Sequence, residues 1–137
     1  MMRSMYSILG MVLALSLGAC GDDEMANADP IERTLAWSEG DVLVALELEA
    51  PRVGQNPFAV TVNRVDTGAA VTDLTVTAVP DMPAMGHGSS HNVDPIHVGD
   101  GRYEGSVNLT MPGEWRIVLE FERHDESLGT TEYAITL

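Results

Sequence analysis

The sequence predicts an all-β chain, an antiparallel β-sandwich of about seven or eight strands behind a leader and a tether. Two observations carry that prediction. Apolar residues recur at every second position in short runs closed by Gly, Pro, Asn or Asp, and no useful length shows the 3.6-residue recurrence of an amphipathic helix. A chain of 137 residues also fits one domain, since a domain takes roughly 100 to 200 residues. An immunoglobulin-like arrangement without its disulfide is the first expectation. A small closed barrel is the second, because period-two faces do not say whether a sheet closes.

The runs follow in order. Thr34 to Ser38 carries Leu35 and Trp37; after the Ser38-Glu-Gly40-Asp41 break, Asp41 to Glu49 puts Val42, Val44, Leu46 and Leu48 on one face, so the pair reads as a hairpin. Pro51 to Asn56 reads as a loop, and Pro57 to Arg64 alternates through Phe58, Val60 and Val62 before the Asp66-Thr-Gly68 turn. Asp73 to Val79 sets Leu74, Val76 and Ala78 against Thr75 and Thr77, a strand by period and β-branched content. Pro80 to about Asn92 reads as a loop, and His91 to Val98 as holding one short strand. Beyond the tight turn at Asp100-Gly101, Arg102 to Leu109 points Tyr103, Val107 and Leu109 one way. Met111-Pro-Gly113 turns the chain into Glu114 to Arg123, with Trp115, Ile117, Leu119 and Phe121 at period two, and Thr131 to Leu137 is the last strand. Trp37 and Trp115 are expected in the core. Tyr103, placed after Gly101, is expected to pack its ring and bond its hydroxyl to backbone, as turn-anchoring tyrosines of sandwiches do.

Apolar residues make up 45% of the chain and aromatics only 5%, so the core must be mainly Val, Leu, Ile and Ala. The formal net charge is -14, with seven Arg and no Lys. Such a surface repels nucleic-acid phosphate and anionic headgroups, which excludes nucleic acid as the expected partner. It draws cations, though only as a diffuse field.

Residues 1–19 read as a lipoprotein signal peptide. Arg3 supplies the positive start, Ile8 to Leu17 an apolar stretch too short to span a membrane, and Leu17-Gly18-Ala19-Cys20 the end. This end resembles the lipobox of bacterial lipoproteins. The resemblance implies cleavage before Cys20, a diacylglycerol thioether on its sulfur and an acyl chain such as palmitate on its new amino terminus. The chain would then be anchored in the bacterial cell envelope, facing the periplasm or the exterior. Cys20 is the sole cysteine, so acylation leaves no disulfide, thiolate nucleophile or cysteine ligand. Residues 20–32 follow as the acylated Cys and a flexible acidic tether, and residues 33–137 as the folded domain.

Five blocks stand in order along that domain: Ser38-Glu-Gly40; Pro51-Arg-Val-Gly54-Gln-Asn56-Pro-Phe58; Met82-Pro-Ala-Met85-Gly-His87-Gly; Gly99-Asp-Gly101-Arg-Tyr103-Glu-Gly105; and Thr110-Met-Pro-Gly113-Glu-Trp115. Together they resemble the YtkA-like domain family, itself similar to FixH-like proteins, over about Leu35 to Phe121. The resemblance implies an exported or membrane-attached immunoglobulin-like sandwich. It also implies, by association, links to copper handling, heme-copper oxidase assembly and metal efflux.

The chemistry gathers in one stretch. Met82, Met85, His87, His91 and His97, with Met111 as a more distant addition, bring thioether sulfur and imidazole nitrogen together, a donor set that selects soft Cu(I) over harder cations. Pro83 reduces the entropy lost when the loop orders, and Gly86 and Gly88 free the backbone to bring His87 alongside. With imidazole dominating, Cu(II) also becomes possible, and Asp81 or Asp94 would then supply oxygen. Zinc ranks below copper because its closed structural sites favour Cys with His. The structural alternative is that both Met fill gaps at the open end of the sandwich while the glycines make a turn. No Gly-x-Ser-x-Gly elbow and no phosphate-cradling glycine loop before a helix occurs, and an enzyme is not expected. The expected function is copper binding, for buffering or for delivery to an oxidase-assembly or metal-efflux membrane protein. The alternative is a metal-free interaction module that docks such a partner.

Overall fold

The structure, a computed structural model, describes residues 29–137; the leader, Cys20 and most of the acidic tether lie outside the described residues. Nine strands run through these residues: β1 (Ile31–Leu35), β2 (Val42–Leu48), β3 (Gly54–Arg64), β4 (Thr75–Met82), β5 (His87–Gly88), β6 (Val93–Gly99), β7 (Arg102–Leu109), β8 (Glu114–Arg123) and β9 (Glu126–Thr136). They form two antiparallel sheets, ordered β1-β2-β3-β7-β6 and β5-β4-β8-β9. The inward residues of the two sheets meet in one core, so the chain is an immunoglobulin-like sandwich rather than a closed barrel.

The expected alternation holds where the chain is regular. Val42, Val44, Leu46 and Leu48 are all buried, as are Trp115, Ile117, Leu119 and Phe121. Burying such side chains is worth about 1.5–3 kcal/mol each relative to exposure, and this drives the two faces together.

Several expectations need correction. The first strand is Ile31–Leu35, not Thr34 to Ser38, so Ile31 and Glu32 belong to the sheet and not to the tether. Arg33 hid the pattern, because a charged residue stands mid-strand where its guanidinium lies 5.2 Å from the Tyr133 ring centroid. Trp37 falls beyond the strand, half-buried, with the Arg123 guanidinium 5.4 Å from its ring. β3 begins at Gly54, inside the expected loop, because Gly54 to Pro57 continue the ladder onto β7. The expected loop from Pro80 to Asn92 holds the end of β4 and the two-residue β5, which gives a ninth strand. β9 starts at Glu126, since His124 and Asp125 form a two-residue hairpin turn with φ of 50° and 64°.

Tyr103 locks one corner. Its ring is fully buried, its hydroxyl donates to Val71 O at 2.8 Å and accepts from Leu74 N–H at 3.2 Å, and it thereby ties β7 to the segment leading into β4. Burial pushes the hydroxyls of both Tyr103 and Tyr133 above their ordinary value. An unfolded chain surrenders these protons first, near pH 10, so stability present below that pH is lost as pH rises through the raised folded values. Tyr103→Phe is expected to cost about 1–3 kcal/mol in urea unfolding at neutral pH, because Leu74 N–H and Val71 O lose this partner. In an alkaline titration followed by near-UV circular dichroism, the same variant should lose stability less steeply than wild type.

On its outer edge β4 meets a strand only at its end, where Asp81 and Met82 pair with β5. Before that, Ala78 N–H donates to Asp94 Oδ1 at 3.1 Å and Pro80 has no N–H, while Leu74 N–H, just ahead of β4, meets the Tyr103 hydroxyl. Such side-chain and proline closure keeps an edge from accepting a foreign strand.

Candidate metal centre

The hairpin between β4 and β5 carries the Met and His cluster. Met82 ends β4 and stands opposite His87 in the register, with residues 83–86 turning between them. Met82 O accepts the N–H of Met85 and of Gly86, each at 3.0 Å. Gly86 takes a φ of 68°, a left-handed conformation that suits glycine. Residues directly opposite in an antiparallel pair project to the same face, so Met82 and His87 are neighbours.

The two sulfurs part. Met82 continues the inward parity of Val76, Ala78 and Pro80 and is 4% exposed, whereas Met85 sits in the turn and is 59% exposed. A second thioether lies on another element at this end. Met111, in the turn between β7 and β8, packs half-buried on the core cluster that includes Met82, and its carbonyl accepts Trp115 Nε1–H at 2.9 Å. Gly113 in the same turn leaves room for the Met82 methyl, since a Cβ there would stand 2.9 Å from Met82 Cε. Met82, His87 and the Met111 turn therefore meet at one end of the sandwich.

The His87 ring is exposed, and its Nδ1 lies 3.1 Å from Gly88 O. A carbonyl only accepts, so in this contact Nδ1 is the donor and Nε2 is the nitrogen left to meet a metal. Metal-bound histidines commonly donate their other ring N–H in this way. His91 has a φ of 64° and shares a 2.9 Å hydrogen bond between its Nδ1 and Ser90 Oγ. Its loop is fastened to the same end, where His91 O accepts from Gln55 Nε2 at 3.0 Å and Ser90 O from Asn108 Nδ2 at 3.1 Å.

His97 stands apart from this group. It pairs with Tyr103 in the register, its ring centroid lies 5.1 Å from that of Tyr103, and its Nε2 accepts Gly101 N–H at 3.1 Å. Tyr103 bonds Leu74, and Met82 lies eight residues further along the chain, about 25 Å at strand rise. The structure thus gives His97 a structural engagement at the opposite end. The two carboxylates expected as oxygen donors are engaged as well. Asp81 holds Arg116 through two hydrogen bonds, of 3.0 and 2.6 Å, and raises the pKa of that guanidinium, while Asp94 caps Ala78 N–H. Among the described residues no group of three or more His, Cys, Asp or Glu gathers as a metal cage, so zinc has no ready shell of its usual donors.

Sequence reasoning missed the residues that shape this end. Asn56 is 3% exposed, accepts Arg52 N–H at 2.8 Å, and donates to Arg52 O and Gly54 O at 2.7 and 2.8 Å, which folds the turn into β3. Asn92 accepts Asn108 N–H at 2.8 Å and donates to Ser89 O at 2.9 Å, which seats the His91 loop. Asn beside Gly, Ser and Pro was the available signal, because its side chain mimics a backbone turn.

These features define an exposed hairpin of thioether and imidazole donors on an antiparallel β-sandwich domain. A family model described as YtkA-like matches residues 38–120, and the chain belongs to the YtkA-like family. No curated protein matches the chain.

Proposed function

We propose that the protein is a lipid-anchored extracytoplasmic domain that binds one copper ion as Cu(I) through Met82 and His87. Met85 or Met111 completes the donor set, and His91 is auxiliary. The domain buffers the ion or passes it to a membrane partner of the oxidase-assembly or efflux kind. The observation that carries this reading is the opposition of Met82 and His87 in the β4–β5 register, with the His87 Nδ1 engaged by Gly88 O and its Nε2 outside that contact. The exposed Met85 and His87 side chains stand where incoming ligands of a partner can reach them.

Anaerobic titration with Cu(I) against a competing chelator tests the site. Wild type is expected to take up one equivalent. Met82→Leu combined with His87→Ala is expected to weaken binding at least tenfold, about 1.4 kcal/mol, while the fold persists because Leu for Met keeps core volume. Unchanged affinity in the double variant would remove the assignment.

A second reading, a metal-free docking module, is favoured by one observation. Val93, Ile96 and Val98 on the edge strand β6 are 57%, 68% and 50% exposed. Under that reading the Cu(I) titration of wild type is flat.

A further inference from the structure

The two ends of the sandwich differ in charge. The turns at the Met82 end, residues 49–53, 83–86, 89–92 and 110–113, contain one Glu and one Arg, Glu49 and Arg52. Those at the opposite end, residues 36–41, 65–74, 100–101 and 124–125, contain Glu39, Asp41, Asp66, Asp73, Asp100 and Asp125 and no Arg. Arg64 and Arg123 at adjoining strand ends pair with Glu39 and Asp73 and offset part of that charge. The neutral end also displays Val53 and Met85, 51% and 59% exposed, with Pro83, Ala84 and Pro112 exposed beside them.

The chain enters the sandwich at the neutral end. Ile31 pairs with Leu46, and β1 runs from there toward Val42, so Asp29 and Pro30 leave at the level of Leu48. Leu48 adjoins the 49–53 turn.

We propose that the neutral end rests on the lipid surface and the acidic end points away from it. This inference rests on the anchor at Cys20 and not on the copper site. Reach and charge both favour this orientation. Asp29 stands level with Leu48, which pairs with Phe58 four residues inside the start of β3, so an upright domain holds it about 13 Å from the neutral tip. Inverting the domain would set Asp29 six or more residues of ladder from the surface, at least about 20 Å, whereas the nine residues from Cys20 to Asp29 span at most about 32 Å. Inversion therefore uses most of the tether's reach, and the upright domain less than half of it. Electrostatics act in the same direction. Anionic headgroups repel the acidic turns within a Debye length of about 8–10 Å, and only the upright domain holds those turns beyond it. The turn tips Val53, Ala84 and Met85 then touch the headgroup layer, which places the Met and His hairpin beside the membrane.

The test uses the full acylated chain in mixed phosphatidylcholine and phosphatidylglycerol vesicles. An environment-sensitive fluorophore is attached through Ala84→Cys or, separately, through Asp125→Cys, and nitroxide-bearing lipids serve as quenchers. Strong quenching at position 84 with little at position 125 is the expected result. Equal quenching, or the reverse order, in a chain that sediments with the vesicles overturns the orientation and leaves the anchor standing. A wild-type chain that fails to sediment removes the anchor and the orientation together.

Discussion

Gly101→Ala is expected to destabilise the protein by about 3 kcal/mol or more, because two costs combine at one added methyl group. Gly101 has a φ of 75°, where an L side chain costs roughly 1–2 kcal/mol. Its added Cβ would also stand 2.7 Å from Val62 O and 3.1 Å from Ala70 Cβ, and backbone must shift to relieve such a contact, at roughly 1–3 kcal/mol. Val62 O already accepts Val71 N–H, Gly101 O accepts Val62 N–H, and Gly101 N–H meets His97, so the shift spreads through three segments. Gly68→Ala is the matched control. It has a φ of 72° but nothing within 4 Å of the added Cβ, so it should show the conformational cost alone. Urea midpoints of the two variants measure the difference, and equal midpoints would mean that the corner yields freely.

Met82→Ala is expected to cost about 2–5 kcal/mol through the cavity it leaves in a closed core. Met85→Ala should stay within about 0.5 kcal/mol of wild type, as exposed substitutions do. Thermal unfolding of the two variants, which differ by three positions in one hairpin, reads directly which methionine is structural. If the site takes up Cu(I), Met82→Ala also lowers chelator-competed affinity, and comparison with Met82→Leu separates loss of packing from loss of the sulfur. A small stability loss for Met82→Ala would mean that its side chain does not fill the core end.

Much of this architecture was legible from the chain because each regular strand buries one face. The alternation of Val42 to Leu48 and of Trp115 to Phe121 permits only one inward set. The misreadings fall where polar residues serve structure. Arg33 lies over an aromatic ring, Asn56 builds a turn from its amide, and His124-Asp125 adopts left-handed angles that composition does not announce. At the candidate site, the residue types were legible but their directions were not. Spacing of three between Met82 and Met85 suggested convergence, yet Met82 ends a strand of fixed parity and Met85 rides the turn. The turn that holds Met111 and Gly113 comes near Met82 only through the pairing of β4 with β8, a contact between distant parts of the chain. His97 looked like a donor because it is close in sequence, but β6 and β7 carry it to the other end.

The closure of β4 by Asp94 has a consequence for misassembly. Asp94 belongs to β6, which directly follows the His91 loop that Asn92 seats on Asn108. A fluctuation that peels β6 from β7 therefore bares two flanks at once, its own former neighbour and the one Asp94 had been guarding. Aggregation should then track this local peeling rather than melting of the whole molecule, because the one carboxylate that guards Ala78 N–H leaves with β6.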